Sequence, residues 1–117
     1  MLFYSVEEFF RYAEKQKRLT REEELRLAAA AKNGDEGGLK QLADGYLPVV
    51  AGVIGRQKPE TQTLRLVMRC CMFLEREIGR FDFFQESEPF LHRLSWALRQ
   101  AVVREIAEQG IDKKELL

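Results

Sequence analysis

The stretch Phe90 to Gln109, FLHRLSWALRQAVVREIAEQ, most restricts what this chain can fold into. Its apolar residues recur at intervals of three and four, the spacing of an amphipathic helix. At about 100° per residue, Leu91, Leu94, Leu98, Ala101, Val102 and Ile106 fall on one broad arc, with Phe90 at its margin. Arg93, Trp96, Gln100 and Arg104 gather on the opposite side, flanked by His92 and Arg99. A core helix buries its tryptophan with its leucines, so an indole set among arginines needs a reason. Stacking against a nucleic-acid base is one. A ring folded down on a neighbouring loop is the other.

Capping signals place the remaining helices. Ser5 followed by Glu8 starts one that runs to about Lys15, with Val6, Phe9, Phe10 and Tyr12-Ala13 for apolar contact. Thr20 followed by Glu23 is a second capping box, opening a helix to about Lys32. Asn33-Gly34 stops it and Asp35 caps the next, whose Gly37-Gly38 start should fray. Pro48 predicts a break near Tyr46-Leu47 and a short helix from Pro48 to Arg56. Lys58-Pro59-Glu60 ends that helix and Thr61 restarts the chain. Leu64, Val67, Cys71, Leu74 and Ile78 then form a helical seam, with Gly79 as its stop. The phenylalanine-rich loop Phe81 to Glu86 should anchor in the core. Ser87-Glu88-Pro89 begins the last helix and Gly110 ends it, leaving Asp112 to Leu117 as at most one turn.

No strand pattern interrupts this series. The expectation is an all-α, compact bundle of five to six helices. At 117 residues the chain is predicted to be one domain. An N-terminal helix pair spans about 5–32, the main body 35–109 and a tail 110–117. A chain of this size buries roughly two thirds of its unfolded surface, enough for one core.

Composition excludes several functions. Acidic and basic residues balance at 19 each, so any nucleic-acid contact must come from a local face. Cys70 and Cys71 are neighbours on a helix, point apart, and lack CxxC spacing, which predicts buried, reduced thiols and no metal site. No signal peptide or membrane-length apolar run is present, which points to a cytoplasmic protein. The sole histidine, His92, faces Glu88 at a spacing typical of a surface contact. Glu22-Glu23-Glu24 complements a helix macrodipole. Gly37-Gly38 lacks the strand and lysine of a phosphate loop. Neither catalysis nor a cofactor, metal or small-molecule substrate is expected.

Two segments carry a family resemblance. WALRQAVVREIAEQ resembles the DNA-reading helix of bacterial RNA polymerase sigma factors, F-S-T-Y-A-x-W-W-I-R-Q-A-I-T-R-x-I-A-x-Q in housekeeping members. Phe81-Asp82 stands where that family has K-F-D. LTREEELRLAAAAKNGDEGGLKQLADGYLPVV is similar to its L-T-x-E-E-E-x-x-L-A…x-G-D-x-x-A-x-x-x-L-x-x-x-x-L-x-x-V. The similarity runs from about Phe10 to Gln109, as a divergent form of sigma-70 region 2 (regions 1.2 to 2.4).

That resemblance implies transcription initiation, with the RNA polymerase core (its clamp) and promoter −10 DNA as partners. Arg99 and Gln100 match the family's R-Q pair and Trp96 the first of its two tryptophans. Ala97 replaces the second, Arg93 replaces a tyrosine that helps hold the flipped base, and Val103 replaces the threonine that partners the glutamine. The implied DNA face is Arg93, Trp96, Arg99, Gln100 and Arg104. Where the family docks on the clamp with Q-E-G, this chain has Met68-Arg69-Cys70, between Leu66 and Leu74. Arg65, Arg69 and Arg76 then read as an outer stripe beside Met68 and Met72, either a solvated face or a partner surface. The alternative to promoter binding is a diverged sigma-like scaffold that binds another protein or itself. Family members continue into a −35-reading domain, so the chain reads as a piece of a longer protein or a one-domain derivative.

Overall fold

The computed structural model describes residues 2–85 and 87–116, of which residues 111–116 are described by backbone alone. Five α-helices follow in order: α1 (Val6–Glu14), α2 (Arg21–Lys32), α3 (Glu36–Gly55), α4 (Leu64–Arg80) and α5 (Phe90–Leu116). A 3-10 turn, Pro59–Thr61, links α3 to α4. No strand occurs among the described residues, as the sequence pattern predicts.

The predicted caps set the helix starts. The Ser5 hydroxyl accepts from the Glu8 backbone N–H at 3.0 Å. Both halves of the Thr20–Glu23 box are made, at 3.1 Å each. Asp35 accepts from the N–H groups of Gly37 and Gly38. Each such cap is worth about 1 kcal/mol. Gly34 supplies the left-handed residue between α2 and α3, at φ 90°. Gly38 is where α3 crosses α2: a Cβ there would sit 3.0 Å from the Ala30 Cβ and 3.1 Å from the Leu27 carbonyl oxygen. Its backbone cost of roughly 1 kcal/mol is the condition for that close crossing.

Four expectations about boundaries are corrected. The chain does not break at Pro48; α3 runs through it. Proline withdraws the N–H that would reach the Asp44 carbonyl, but Leu47, Val50 and Ile54 are all fully buried around it. Burying such side chains contributes about 1.5–3 kcal/mol each, enough to hold the helix across one lost ladder bond. Thr63, not Thr61, caps α4, its hydroxyl accepting from Leu66 N–H at 3.2 Å, and α4 continues past Gly79 to Arg80. Finally, α5 passes through Gly110 and reaches Leu116; Leu117, the end of the predicted tail, lies outside the described residues.

The core is built from Phe9, Leu42, Leu47, Val50, Ile54, Leu66, Val67, Leu74, Leu94 and Leu98, drawn from every helix except α2, which adds Leu27 and Ala28. The loop after α4 is pinned as predicted: Phe81 and Phe83 are buried, while Phe84 is exposed. Phe81, Phe83 and Phe90 contact one another with centroids 4.9–5.2 Å apart, and Tyr46 meets Phe90 edge-on at 4.9 Å. Asp82 closes the turn by accepting from the N–H groups of Phe84 and Gln85. Glu86, the last residue of the predicted loop, lies outside the described residues. This cluster fixes where α5 begins.

Candidate nucleic-acid interface on the last helix

The buried side of α5 consists of Phe90, Leu94, Ala97, Leu98, Ala101, Val102 and Glu105. The helical wheel needs correcting at both edges. Leu91 is only half-buried and Ile106 is 40% exposed, whereas Phe90, Ala97 and Glu105 are inside. The helix is rolled toward α4 because its charge partners are there. Arg65 and Arg69, one turn apart on α4, bring Nε to 3.1 and 3.5 Å from Glu105 Oε1. Both donate to Glu108 Oε2 at 2.7 Å through Nη2. Gln109 donates to Glu105 Oε2 at 3.0 Å and approaches the Thr63 hydroxyl at 3.4 Å. The approaches to Oε1 are ionic but not aligned as hydrogen bonds, so that oxygen and Arg69 Nη1 lack hydrogen-bond partners. The Arg69 guanidinium, then Arg65, holds the Glu108 carboxyl below the ordinary carboxylate range.

This geometry corrects the outer stripe read from α4. Arg65 and Arg69 are engaged by α5, and Arg69 keeps only 24% of its side chain exposed. Met68 is half-buried. Met72, at 66% exposed, faces out as predicted. Arg76 lies over the Phe73 ring, 4.4 Å from its centroid. The carboxylates Glu105 and Glu108 that claim the other two arginines were not connected with them by any local spacing.

The outer side of α5 carries Trp96, 65% exposed, with Val103 two turns on and 66% exposed. The ring therefore points outward, as the wheel predicts. It makes no aromatic or cation contact with other described residues. Arg99 is exposed beside it and Gln100 is half-buried one turn on. The other two predicted members turn toward α4. Arg93 Nε is 3.1 Å from Glu77 Oε2 and its guanidinium lies 5.8 Å from the Phe81 centroid. Arg104 lines a groove with Arg69, Met72, Phe73 and Arg76. The five residues thus divide into an outward group, Trp96, Arg99 and Gln100, and an edge group, Arg93 and Arg104. His92 Nδ1 lies 3.3 Å from Glu88, the surface contact that their spacing implies.

A cleft of about 610 Å³ between α2, α3 and the start of α5 went unread in the sequence. Arg18, Arg21, Glu24, Tyr46 and Leu91 line it. Glu24, nearly buried, takes the Tyr46 hydroxyl and Arg21 Nη1, the latter at 2.7 Å, while Arg21 Nη2 donates to the Phe83 carbonyl at 2.8 Å. Burial, then the Glu24 carboxylate, pushes the Tyr46 phenol well above its usual value. Only the apolar flank of Tyr46 was a local signal. The arginines meet it through the fold.

Cys70 and Cys71 are buried free thiols, each pushed up to about 12 by desolvation. No group of three or more potential metal ligands occurs among the described residues. No helix there is long and apolar enough to cross a membrane.

No family model matches the chain. Over 93 residues, 79% of its length, the chain is 33% identical to the RNA polymerase sigma factor SigA of Clostridium acetobutylicum. It spans 24% of the length of that curated relative. With an all-helical fold and this similarity together, the chain stands in a sigma-factor-like relationship to that protein.

Proposed function

We propose that this chain acts in transcription initiation as a sigma-factor-like promoter-binding domain, working in the cytoplasm with the RNA polymerase core and reading −10 DNA with the outer side of α5. The observation that carries the reading is Trp96, an indole 65% exposed with no aromatic or cation partner among the described residues. So large and rigid a ring, held outward on a helix, offers a flat face on which a base can stack. A base does so while Arg99 meets the adjoining phosphate and Gln100 offers donor and acceptor toward a base edge.

The role is binding, not catalysis. Base–aromatic stacking is worth about 1–3 kcal/mol per base, and extruding a base costs a few kcal/mol. One aromatic stands where the resembling family carries three, so contact with DNA is better supported than strand opening. Arg93, tied to Glu77, and Arg104, at the edge of the α4–α5 groove, assist from the side.

A fluorescent −10-type duplex and the matching single strand test this by anisotropy. Binding should weaken steeply with salt, by counterion release. Trp96→Ala should weaken single-strand binding by about tenfold, the stacking free energy of one base. Unchanged affinity in both Trp96→Ala and Arg99→Ala would remove the α5 face from the proposal. A second reading, a sigma-like scaffold that binds another protein or itself, is favoured by Val103, whose apolar surface lies exposed two turns along α5 on the same side as the indole. Capture of polymerase subunits from the native cytosol supports the first reading. A different stable partner without them supports the second.

A further inference from the structure

The groove between α4 and α5 lies to one side of the proposed DNA face and has a distinct chemistry. It encloses about 410 Å³ and is lined by Arg69, Met72, Phe73, Arg76, Arg104 and Glu108. Three guanidinium groups and one carboxylate give it positive charge, and that carboxylate is already occupied by Arg65 and Arg69. Arg76 has a single distant anion, Glu77 at 3.9 Å, and rests on Phe73. Arg104 has no hydrogen-bond or ion-pair partner among the described residues. Met72, flexible and polarisable, lies exposed on the α4 wall beside these charges.

We propose that this groove docks an acidic, amphipathic protein segment, with carboxylates on Arg76 and Arg104 flanking an apolar side chain that covers Met72 and Phe73. Charge complementarity selects the acidic partner. Arg76 and Arg104 stand on opposite walls, where paired carboxylates meet both. The apolar floor selects protein over a phosphate backbone, because a phosphodiester leaves Met72 uncovered. Guanidinium on Arg69 does not contribute, since Glu108 holds it at 2.7 Å. The inference does not rest on promoter binding: Met72, Phe73 and Arg76 belong to α4, and Arg104 alone is shared with the edge of the proposed DNA face.

The test uses the full chain and two labelled synthetic peptides, one alternating glutamate with leucine and one alternating lysine with leucine, followed by anisotropy. The acidic peptide should bind and the basic one should not, with affinity falling as salt rises. Arg104→Glu and Arg76→Glu should each weaken the acidic peptide by about tenfold, and Met72→Asp likewise, each with the helical circular dichroism unchanged. Trp96→Ala should leave the peptide affinity as it is. Absence of acidic-peptide binding, or binding indifferent to Arg76, Arg104 and Met72, overturns the proposal. So does a duplex DNA that binds with the same dependence on Arg76 and Arg104 while the peptide does not, which would make the groove a phosphate surface.

Discussion

Trp96 and Glu105 lie on one helix and each violates the ordinary rule of placement, an indole outside and a carboxylate inside. Their difference lies in what answers them. Glu105 is fully buried, but α4 delivers two arginines and α5 itself delivers Gln109. The anomaly is resolved within the chain. Trp96 is 65% exposed and has no aromatic or cation partner among the described residues. Nothing in the described chain answers it, and the proposed DNA face rests on that. An odd residue therefore points to structure when the fold supplies its complement, and to binding when it does not.

The largest expected effect tests the buried side. Arg65→Ala with Arg69→Ala strands the Glu105 carboxylate, and breaking a buried pair in this way costs about 3–5 kcal/mol. Urea unfolding should show the midpoint falling accordingly, and Glu105→Leu added to the pair should restore most of the loss. If the double arginine variant is as stable as the parent, Glu105 is not held by charge. The exposed side predicts the reverse: Trp96→Ala should change stability by no more than about 0.5 kcal/mol, as a surface substitution does. A loss comparable to that of the arginine pair would mean the indole is packed.

A pH series sharpens the comparison further. Glu108 is depressed below its unfolded value by Arg69 and Arg65. Its contribution is therefore complete above the unfolded glutamate pKa of about 4.3 and is lost as pH falls through the folded value. Melting temperatures of the parent and Glu108→Gln should differ at neutral pH and converge in acid, whereas Trp96→Ala should track the parent throughout. The smallest effect is chemical. Cys70 and Cys71 should resist a thiol reagent at neutral pH in the folded chain and react when it is unfolded, because burial holds both thiols protonated.

Much of the fold was legible because its signals are local. Ser5, Thr20 and Asp35 cap where their spacing to the next donors requires, since a cap involves residues two or three apart. Thr61 reads as the restart in place of Thr63 because a 3-10 turn intervenes, and either threonine satisfies the same local rule. Pro48 reads as a break because its local penalty is visible in sequence, while the burial that overrides it comes from other helices. The candidate site was legible in its outward half. Trp96 and Arg99 lie outside as the wheel has them, but Arg93 is drawn to Glu77 on α4 and Arg104 lines the α4–α5 groove, placements that no spacing reveals.

An all-helical chain, the starts of α1, α2 and α3, and the outward placement of an indole are written in the residues alone. All of these follow from periodicity and contacts within a few residues. The tertiary structure alone decided the roll of α5, the burial of Glu105 and the capture of Arg65 and Arg69. Those depend on which helix lies alongside at hydrogen-bonding distance, and a side chain's charge partner is chosen by proximity in space. That is why the α4 arginines looked like a solvated stripe in the sequence and form a clamp in the fold, leaving Arg76, Arg104 and Met72 to face a partner.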